Sequence, residues 1–509
     1  MKKLEHWLQS LWHFIYDKMV TPCRLPMPAD VESEQLKINV LRIVLGAVLC
    51  WRTSLITYSA YYYFPGHGFL GCPAEFWFSL LCLALAICLV LGTFTPLVTL
   101  AMLVLYNQMD AALSTMTLGT NILTLCLFFL LFTNAGSRLS VDERILNNPK
   151  SRLHSITSFL YRLMGFPSRD QIRGYCWLLF MAYGVTSLGA VSLHLGDEFW
   201  QRGQTVALML QNSFLCHFWQ AGRFVAQQWP MLISAFSVFA CAGQAFFQLF
   251  MIPLVYTRWG VWFVSLWGAA FALISLVLLQ ISYIPQTEAV LWALVFCPAS
   301  IFTGLVRRLQ VRGPLMTWRS PLQSGTFCAS VSTVTVMAFA LVIVVAIGHH
   351  NHSVKLLRKA VKYLGPPLYY LGLDVPDVFN RLDLATGRCW YVMARRDADG
   401  SVSDVPVSFR EGNRGYYHYF DTLYFSNFVP WRRMMGLYGG DLRDLLAPDM
   451  PGYALIRRVV EFDRKLGKGR EASEYLVTVY VNDGKSANVA ASLTFRGRHK
   501  LATATEMTR

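Results

Sequence analysis

Long apolar stretches dominate the first two thirds of this 509-residue chain and limit its possible folds more than any other feature. A helix needs about 20 mainly apolar residues to cross a bilayer. Hydrophobic residues make up 54% of the chain and charged residues 15%, which excludes an ordinary soluble enzyme. The expected fold class is an α-helical polytopic membrane protein. The sequence predicts nine transmembrane helices, at residues 38–60, 75–93, 95–112, 119–135, 174–195, 229–256, 260–283, 287–306 and 325–348.

The formal net charge of +15 is distributed unevenly between the loops that connect these helices. The 136–173 and 307–319 loops are rich in Arg and Lys, whereas the 61–74 and 113–118 loops contain neither. Basic loops tend to stay on the cytoplasmic side of a membrane. The pattern therefore indicates a lipid bilayer as partner rather than nucleic acid, a cytoplasmic N-terminus and an extracytoplasmic C-terminal segment. One miscounted helix would place that segment in the cytoplasm instead.

Composition divides the chain into three parts. Residues 1–37 carry apolar side chains at helical spacing, which predicts an amphipathic segment at the membrane interface. Residues 38–350 form the predicted transmembrane domain. Residues 351–509 are rich in charge and form the predicted extracytoplasmic domain. The 152–165 stretch repeats the amphipathic pattern, and packing against the protein's own helices explains either stretch equally well.

Strand and turn patterns in the last part predict an α+β or β-sandwich-like domain. Helical patterns occupy residues 440–447 and 452–466, and aromatic residues cluster at 416–431, where they suit a membrane surface or a domain core. The predicted strands and turns are a 390–394 strand before an Asp399-Gly400 turn, and a hairpin of 475–481 and 488–495 around Asn482-Asp483-Gly484.

Five polar side chains share one depth, in the outer half of the predicted transmembrane helices: Arg52, Asn107, Asp110, Asn121 and His194. Polar groups inside hydrocarbon are costly unless they face a partner or a cavity, so they mark candidate functional sites. Arg52 and Asp110 have opposite charges and could form an ion pair between the first and third helices. The sequence thus predicts an outer polar cavity that binds a ligand. A role in holding the helices together explains these residues as well.

The segment with the most specific pattern begins at Tyr183 and ends in His194-Leu195 followed by Trp200-Gln-Arg-Gly203. It resembles the active-site helix of the vitamin K-dependent gamma-carboxylase and its bacterial relatives, the horizontally transferred transmembrane (HTTM) domain family. Residues 91–96 (Leu-Gly-Thr-Phe-Thr-Pro) and 119–142, which end in Leu-Ser-Val-Asp, are similar to further segments of that family. The resemblance covers residues 38–310 and implies a bacterial inner-membrane protein.

The resemblance makes His194 the candidate catalytic residue and Trp200 a candidate binding residue. In the carboxylase a lysine is thought to deprotonate vitamin K hydroquinone. Here His194 stands at that place, with one extra residue before Trp200. An imidazole exchanges protons near neutral pH, so His194 is a candidate proton carrier. Gln244 and Gln248 stand where the family carries an acidic residue, and the family's next histidine is missing; we therefore predict no vitamin K-dependent carboxylation.

Most of the twelve cysteines lie within predicted helices, as small apolar packing residues. No Cys or His spacing matches a zinc site, so no metal is predicted. Resemblance to the carboxylase's lumenal cross-link implies a disulfide between Cys72 and Cys389. Cys216 competes as a partner, and the distance between the cysteines decides which bond forms.

These observations favour a membrane protein with an outer polar cavity that binds or modifies a lipid, a quinone or an exported polypeptide. No cofactor is assigned. The alternative is a non-catalytic membrane partner for the assembly, maturation, immunity or export of another protein. A small-molecule transporter is a third interpretation, and the lack of a clear inverted repeat or of paired broken helices weakens it.

Overall fold

The computed structural model describes twelve segments of the chain and four isolated positions, Ser10, Phe14, Lys359 and Tyr363. The described residues up to 308 are mainly helical, and those from 389 are mainly strands. The segments are residues 16–26, 31–63, 74–112, 118–164, 167–195, 198–211, 216–279, 283–308, 389–404, 474–482, 487–496 and 500–505.

Several predicted elements lie outside the described residues. They are the ninth transmembrane helix at 325–348, the helices at 440–447 and 452–466, and the aromatic cluster at 416–431. Most of the N-terminal amphipathic segment also lies outside them. These five elements stay predictions.

A π-helical turn at Tyr16–Val20 precedes the α-helices of the described region. The α-helices are α1 (Val31–Tyr63), α2 (Ala74–Leu91), α3 (Thr95–Ala112), α4 (Leu118–Thr133), α5 (Val141–Leu146), α6 (His154–Met164), α7 (Arg169–Leu195), α8 (Glu198–Gln201), α9 (Thr205–Gln211), α10 (Trp219–Gln228), α11 (Pro230–Leu254), α12 (Arg258–Leu278), α13 (Ile284–Phe296) and α14 (Ala299–Arg308).

Four of these helices are long and apolar enough to cross a membrane, by length and composition. They contain the segments Val31–Thr57, Arg169–Val191, Pro230–Leu254 and Arg258–Leu278. Shorter apolar helices run over Phe76–Leu91, Gly119–Thr133 and Ile284–Phe296. The described region is therefore a helical bundle of the kind that membrane proteins form.

The first helix begins earlier than the sequence predicts. Helix α1 starts at Val31, so the expected boundary between residues 37 and 38 falls inside it. Its polar first turns are buried and bonded within the protein. Glu34 and Lys37 form an ion pair at 2.6 Å, and the Gln35 side chain donates to the Thr133 carbonyl at 3.0 Å. The polar residues at the start of α1 are thus satisfied by partners within the protein.

The predicted eighth helix at 287–306 is wrong as a single element. The structure contains two helices there, α13 and α14, separated by Cys297 and Pro298. Cys297 has extended backbone, with φ −72° and ψ 126°. A proline disfavours helical backbone at the residue before it, so Pro298 ends α13.

Helix α13 lies at the centre of the bundle. It packs against α1, α4, α7 and α12, and most of its side chains are buried. At 13 residues it is about 20 Å long, shorter than the roughly 30 Å hydrocarbon core of a bilayer. Because other helices surround α13, it does not need the length of a lipid-facing span. Its polar side chains Thr287 and Glu288 are buried inside the protein.

Helix α6 presents its apolar side outward. Thr157, Ser158 and Tyr161 are buried, whereas Ile156 is 55% and Phe159 64% exposed. The two interpretations of the 152–165 stretch were packing against the protein and contact with lipid. The observed orientation favours lipid contact, because the apolar residues face away from the bundle.

The described strands of the tail form one five-stranded antiparallel sheet in the order β2-β1-β3-β4-β5. The hairpin of β1 and β2 turns at Gly400, whose φ is +85°. The pairing of β3 with β4 confirms the second predicted hairpin. The strands are β1 (Cys389–Arg396), β2 (Val402–Asp404), β3 (Glu474–Asn482), β4 (Ala487–Arg496) and β5 (Lys500–Thr505).

Candidate functional site

Polar side chains concentrate at two ends of the helical bundle. At the first, here called the Asp142 end, the turn between α2 and α3 meets the loop between α4 and α5. At the second, here called the His194 end, α7 and α12 end while α11 and α13 begin. The two ends use their polar groups differently.

At the Asp142 end, one buried carboxylate joins two turns. The Asp142 side chain accepts hydrogen bonds from the backbone N–H groups of Phe94 and Thr95, both at 2.7 Å, and from the Tyr161 hydroxyl at 2.8 Å. The Asp142 backbone N–H donates to the Gly92 carbonyl at 3.0 Å. Burial, and then the Asp142 carboxylate, raise the pKa of Tyr161 well above its ordinary value, so the phenol keeps its proton.

The turn at Gly92 leaves no room for a side chain. Gly92 has φ +67°, and a Cβ there would collide with the Arg42 guanidinium. Arg42 in turn donates to the Leu139 carbonyl at 2.8 Å. The 91–96 turn and the 139–142 loop, both of which resemble HTTM segments, therefore pack together as one rigid joint.

At the His194 end, a buried cluster, here called the Asp110 cluster, joins α1, α3, α4 and the start of α13. The Arg52 guanidinium lies 3.8 Å from the Asp110 carboxylate, which confirms the expected ion pair. Thr120 and Tyr283 donate to the same carboxylate at 2.6 and 3.0 Å. The Arg52 guanidinium also lies 4.9 Å from the centre of the Tyr283 ring. Two charges buried this deeply persist because each is paired.

The two predicted asparagines bond to neighbouring helices. Asn107 accepts from Thr124 of α4 at 3.1 Å, and Asn121 accepts from Thr186 of α7 at 3.3 Å. Neither asparagine, nor Arg52 or Asp110, is among the residues that line the cavity described next. Their contacts match the interpretation in which these side chains hold the helices together.

A cavity of about 260 Å³ lies between α7, α9, α11, α12 and α13 at the His194 end. Its walls are mainly apolar and aromatic, and a few polar side chains project from them. This combination is typical of sites for small ligands with an apolar body and one polar end. The aromatic lining residues are Tyr183, Trp200, Phe236, Phe239, Trp267 and Phe271.

His194 and Trp200 both line this cavity. His194 is buried in the last turn of α7, and its ring stacks on Trp200 with 3.9 Å between ring centroids and 20° between ring planes. The two residues that the HTTM-like segment singles out are therefore in direct contact. The stacking fixes the orientation of the imidazole at the cavity wall.

Gly203 fixes the position of the Trp200 segment. Its backbone is left-handed, at φ +65°, and a Cβ there would press on Val238 of α11. The Ser237 hydroxyl donates to the Gly203 carbonyl at 2.5 Å. Only glycine allows this close approach at a positive φ, which explains the glycine of the Trp-x-x-Gly pattern.

Glu288 is the acidic lining residue that sequence reasoning missed. It lies on α13, is buried, and accepts a hydrogen bond from the Tyr183 hydroxyl at 2.9 Å. The signal was present, because Glu288 is the single acidic residue of the apolar 287–306 stretch. The resemblance directed attention to the 229–256 helix instead.

Two glutamines of α11 add further polar side chains to the cavity wall. Gln244 accepts from the Trp267 indole N–H at 3.0 Å. Gln248 is only 8% exposed, and its Oε1 has no hydrogen-bond partner among the described residues. Both side chains line the cavity, beside the acidic group that α13 supplies.

The predicted disulfide is not tested by the structure. Cys72 lies outside the described residues, and for Cys389 only the backbone, paired with Val481, is described. Cys216 is buried, and its backbone pairs with Leu279 beside the cavity. Among the described residues, no group of three His, Cys, Asp or Glu side chains is placed to hold a metal ion.

No family model, no curated protein and no solved structure matches this chain. The resemblance to the HTTM family accordingly stays a prediction. What can be said of function rests on the cavity and the residues around it.

Proposed function

We propose that this chain is a multi-pass membrane protein that binds a bilayer-dissolved amphiphile, a quinone or a lipid, in the cavity at the His194 end. The observation that carries the proposal is the cavity itself. It lies among helices of membrane-spanning length and character, with aromatic walls and a few buried polar groups. An amphiphile satisfies both kinds of surface at once.

The size of the cavity suits part of such a molecule. Its volume of about 260 Å³ is close to the lower end of ligand pockets, roughly 300 Å³. A ring or polar end group with the first carbons of a tail fits this space, and the rest of the tail extends into lipid. His194, held against Trp200, is the candidate group for proton transfer to or from the bound molecule.

The proposal includes membership of the HTTM family and insertion in a bacterial inner membrane, with residues 351–509 outside the cytoplasm. Its support is the order of the resembling segments and the basic 136–173 loop. Vitamin K-dependent carboxylation is not part of it, because histidine replaces the family's lysine. Copurification of a stoichiometric protein partner without an amphiphile would favour the non-catalytic alternative.

Filling the cavity tests the proposal. Ala240 lines the cavity on α11, and Ala242, two residues further, is exposed on the same helix. We expect Ala240→Phe to weaken binding of a radiolabelled quinone or lipid in nanodiscs at least tenfold, because the added ring occupies the ligand's volume. Ala242→Phe should leave binding unchanged. Equal binding by both variants and the parent protein would overturn the proposal.

A further inference from the structure

Two buried side chains of the cavity carry oxygen atoms that can accept a hydrogen bond. Glu288 supplies a buried carboxyl group, and Gln248 directs a buried carbonyl oxygen that no described residue satisfies. A buried acceptor without a donor destabilises a protein, unless a molecule from outside supplies the donor. The orphaned oxygen of Gln248 is therefore an independent sign of a ligand.

The charged residues of the cavity wall also limit the kind of ligand that can bind. Glu288 is the one acidic residue among the described lining residues, and no Lys or Arg accompanies it. Arg52 does not line the cavity and is paired with Asp110. A phosphate or carboxylate that enters this apolar cavity meets no Lys or Arg that would offset the cost of leaving water.

The cavity opens toward the side of the bundle. Phe239 of α11 is 67% exposed and Ile274 of α12 is 51% exposed, and both also line the cavity. Both helices have the length and composition of membrane spans, so in a bilayer this opening faces lipid tails. A molecule that enters here places its polar end inward, toward Gln248 and Glu288.

We infer that the cavity selects a neutral amphiphile whose polar end is a hydroxyl group, and that the Gln248 Oε1 accepts the hydrogen bond of this hydroxyl. Anionic lipids and fatty acids are excluded because no Lys or Arg lines the cavity to pair with them. This inference rests on the proposed function and makes it specific, since it names the chemistry of the end group.

Three probes with one hexadecyl tail test it: hexadecanol, hexadecyl methyl ether and hexadecanoate, each with the same diazirine on the tail. The protein is held in phosphatidylcholine nanodiscs, and saturable photolabelling of cavity peptides is read by mass spectrometry. We expect the alcohol to bind about tenfold more tightly than the ether, the effect of a single hydrogen bond. The carboxylate should not label saturably.

Equal binding of alcohol and ether, or saturable binding of the carboxylate, would overturn the selectivity but leave the proposed function standing. Absence of saturable labelling by all three probes would overturn both. The parent protein alone separates these outcomes, so the test does not depend on a variant that folds.

The variant Gln248→Leu tests whether Gln248 accepts the hydrogen bond of the ligand's hydroxyl group. We expect it to reduce the preference for alcohol over ether to below about twofold while the affinity for the ether is unchanged. The exposed Gln228→Leu change on α10 is the matched control and should keep the tenfold preference. A full preference in Gln248→Leu would contradict the assignment of Gln248.

Discussion

The two ends of the bundle both contain a buried carboxyl group, yet they surround it differently. At the Asp142 end three donors, two of them backbone N–H groups, fill the acceptor positions of the carboxylate, and the turns close over it. At the His194 end Glu288 accepts from Tyr183 beside an open space of about 260 Å³. The first arrangement fixes a joint, and the second leaves room for a further molecule.

The Asp110 cluster shows that burial of charge alone does not define the functional end. Arg52 and Asp110 are as deeply buried as Asp142, and they bond to each other and to neighbouring hydroxyl groups. They pin α1, α3 and α13 next to the cavity without lining it. What distinguishes the cavity residues is that their side chains border an open space, and that the Gln248 Oε1 there has no hydrogen-bond partner among the described residues.

Replacing Asp142 by alanine removes the carboxylate that joins the two turns, and should have the largest effect on the free energy of unfolding. The change leaves two backbone N–H groups and the Tyr161 hydroxyl without an acceptor, so we expect a loss of about 5 kcal/mol in the free energy of unfolding. Denaturant unfolding in detergent micelles measures it. Asp17→Ala, at an exposed position, is the control and should cost less than about 0.5 kcal/mol. Similar losses in both variants would refute the described role of Asp142.

A double-mutant cycle on Arg52 and Asp110 sharpens the distinction between a structural and a ligand-binding cluster. Arg52→Met and Asp110→Leu should each cost about 3 kcal/mol, because each leaves one buried charge unpaired. The double variant should cost less than the sum of the two, since both charges are gone. Strictly additive losses in the unfolding free energy would mean that the two side chains do not interact.

Gly92→Ala also tests the packing at the Asp142 end, with a smaller expected loss in the free energy of unfolding. A positive φ is unfavourable for alanine, and the new Cβ displaces Arg42, so we expect a loss of about 2 kcal/mol. Gly304 of α14 has no atom within 4 Å of an added Cβ and offers the matched control. There Gly304→Ala should stabilise the helix by up to about 1 kcal/mol. The melting temperatures of the two variants in detergent should shift in opposite directions. Shifts in the same direction would argue against the close packing of Gly92.

His194→Gln should have the smallest effect on stability and a selective effect on function. Glutamine keeps a polar side chain at the cavity wall but cannot carry a proton at neutral pH. We therefore expect chemical turnover of the bound amphiphile to be lost. The melting temperature and the amphiphile affinity should change little, the latter by less than about threefold. Full turnover in His194→Gln would exclude proton transfer by this residue.

Sequence reasoning placed most helices of the bundle to within a few residues, because long apolar runs have few other ways to fold. It missed the break at Pro298, where a local backbone restriction interrupts an apolar run. It also started α1 too late, since the Thr133 and Cys297 carbonyls that accept from Gln35 and Lys37 come close only in the fold. The pair of Arg52 and Asp110 was predictable from charge and shared depth.

The cavity was only partly predictable. His194 and Trp200 follow from the motif, but which polar residues face the cavity depends on how each helix is rotated about its axis. Asn107 and Asn121 face neighbouring helices, whereas Glu288 and Gln248 face the cavity. That rotation is set by packing against several neighbours at once, which one sequence does not reveal.

The most direct test of ligand binding is cryo-electron microscopy of the full chain in native-lipid nanodiscs. The account predicts elongated density that enters between α11 and α12 and ends between His194, Gln248 and Glu288. Mass spectrometry of the organic extract should then identify a neutral amphiphile. A well-ordered map in which this cavity is empty, or is filled by the protein's own side chains, would contradict the account.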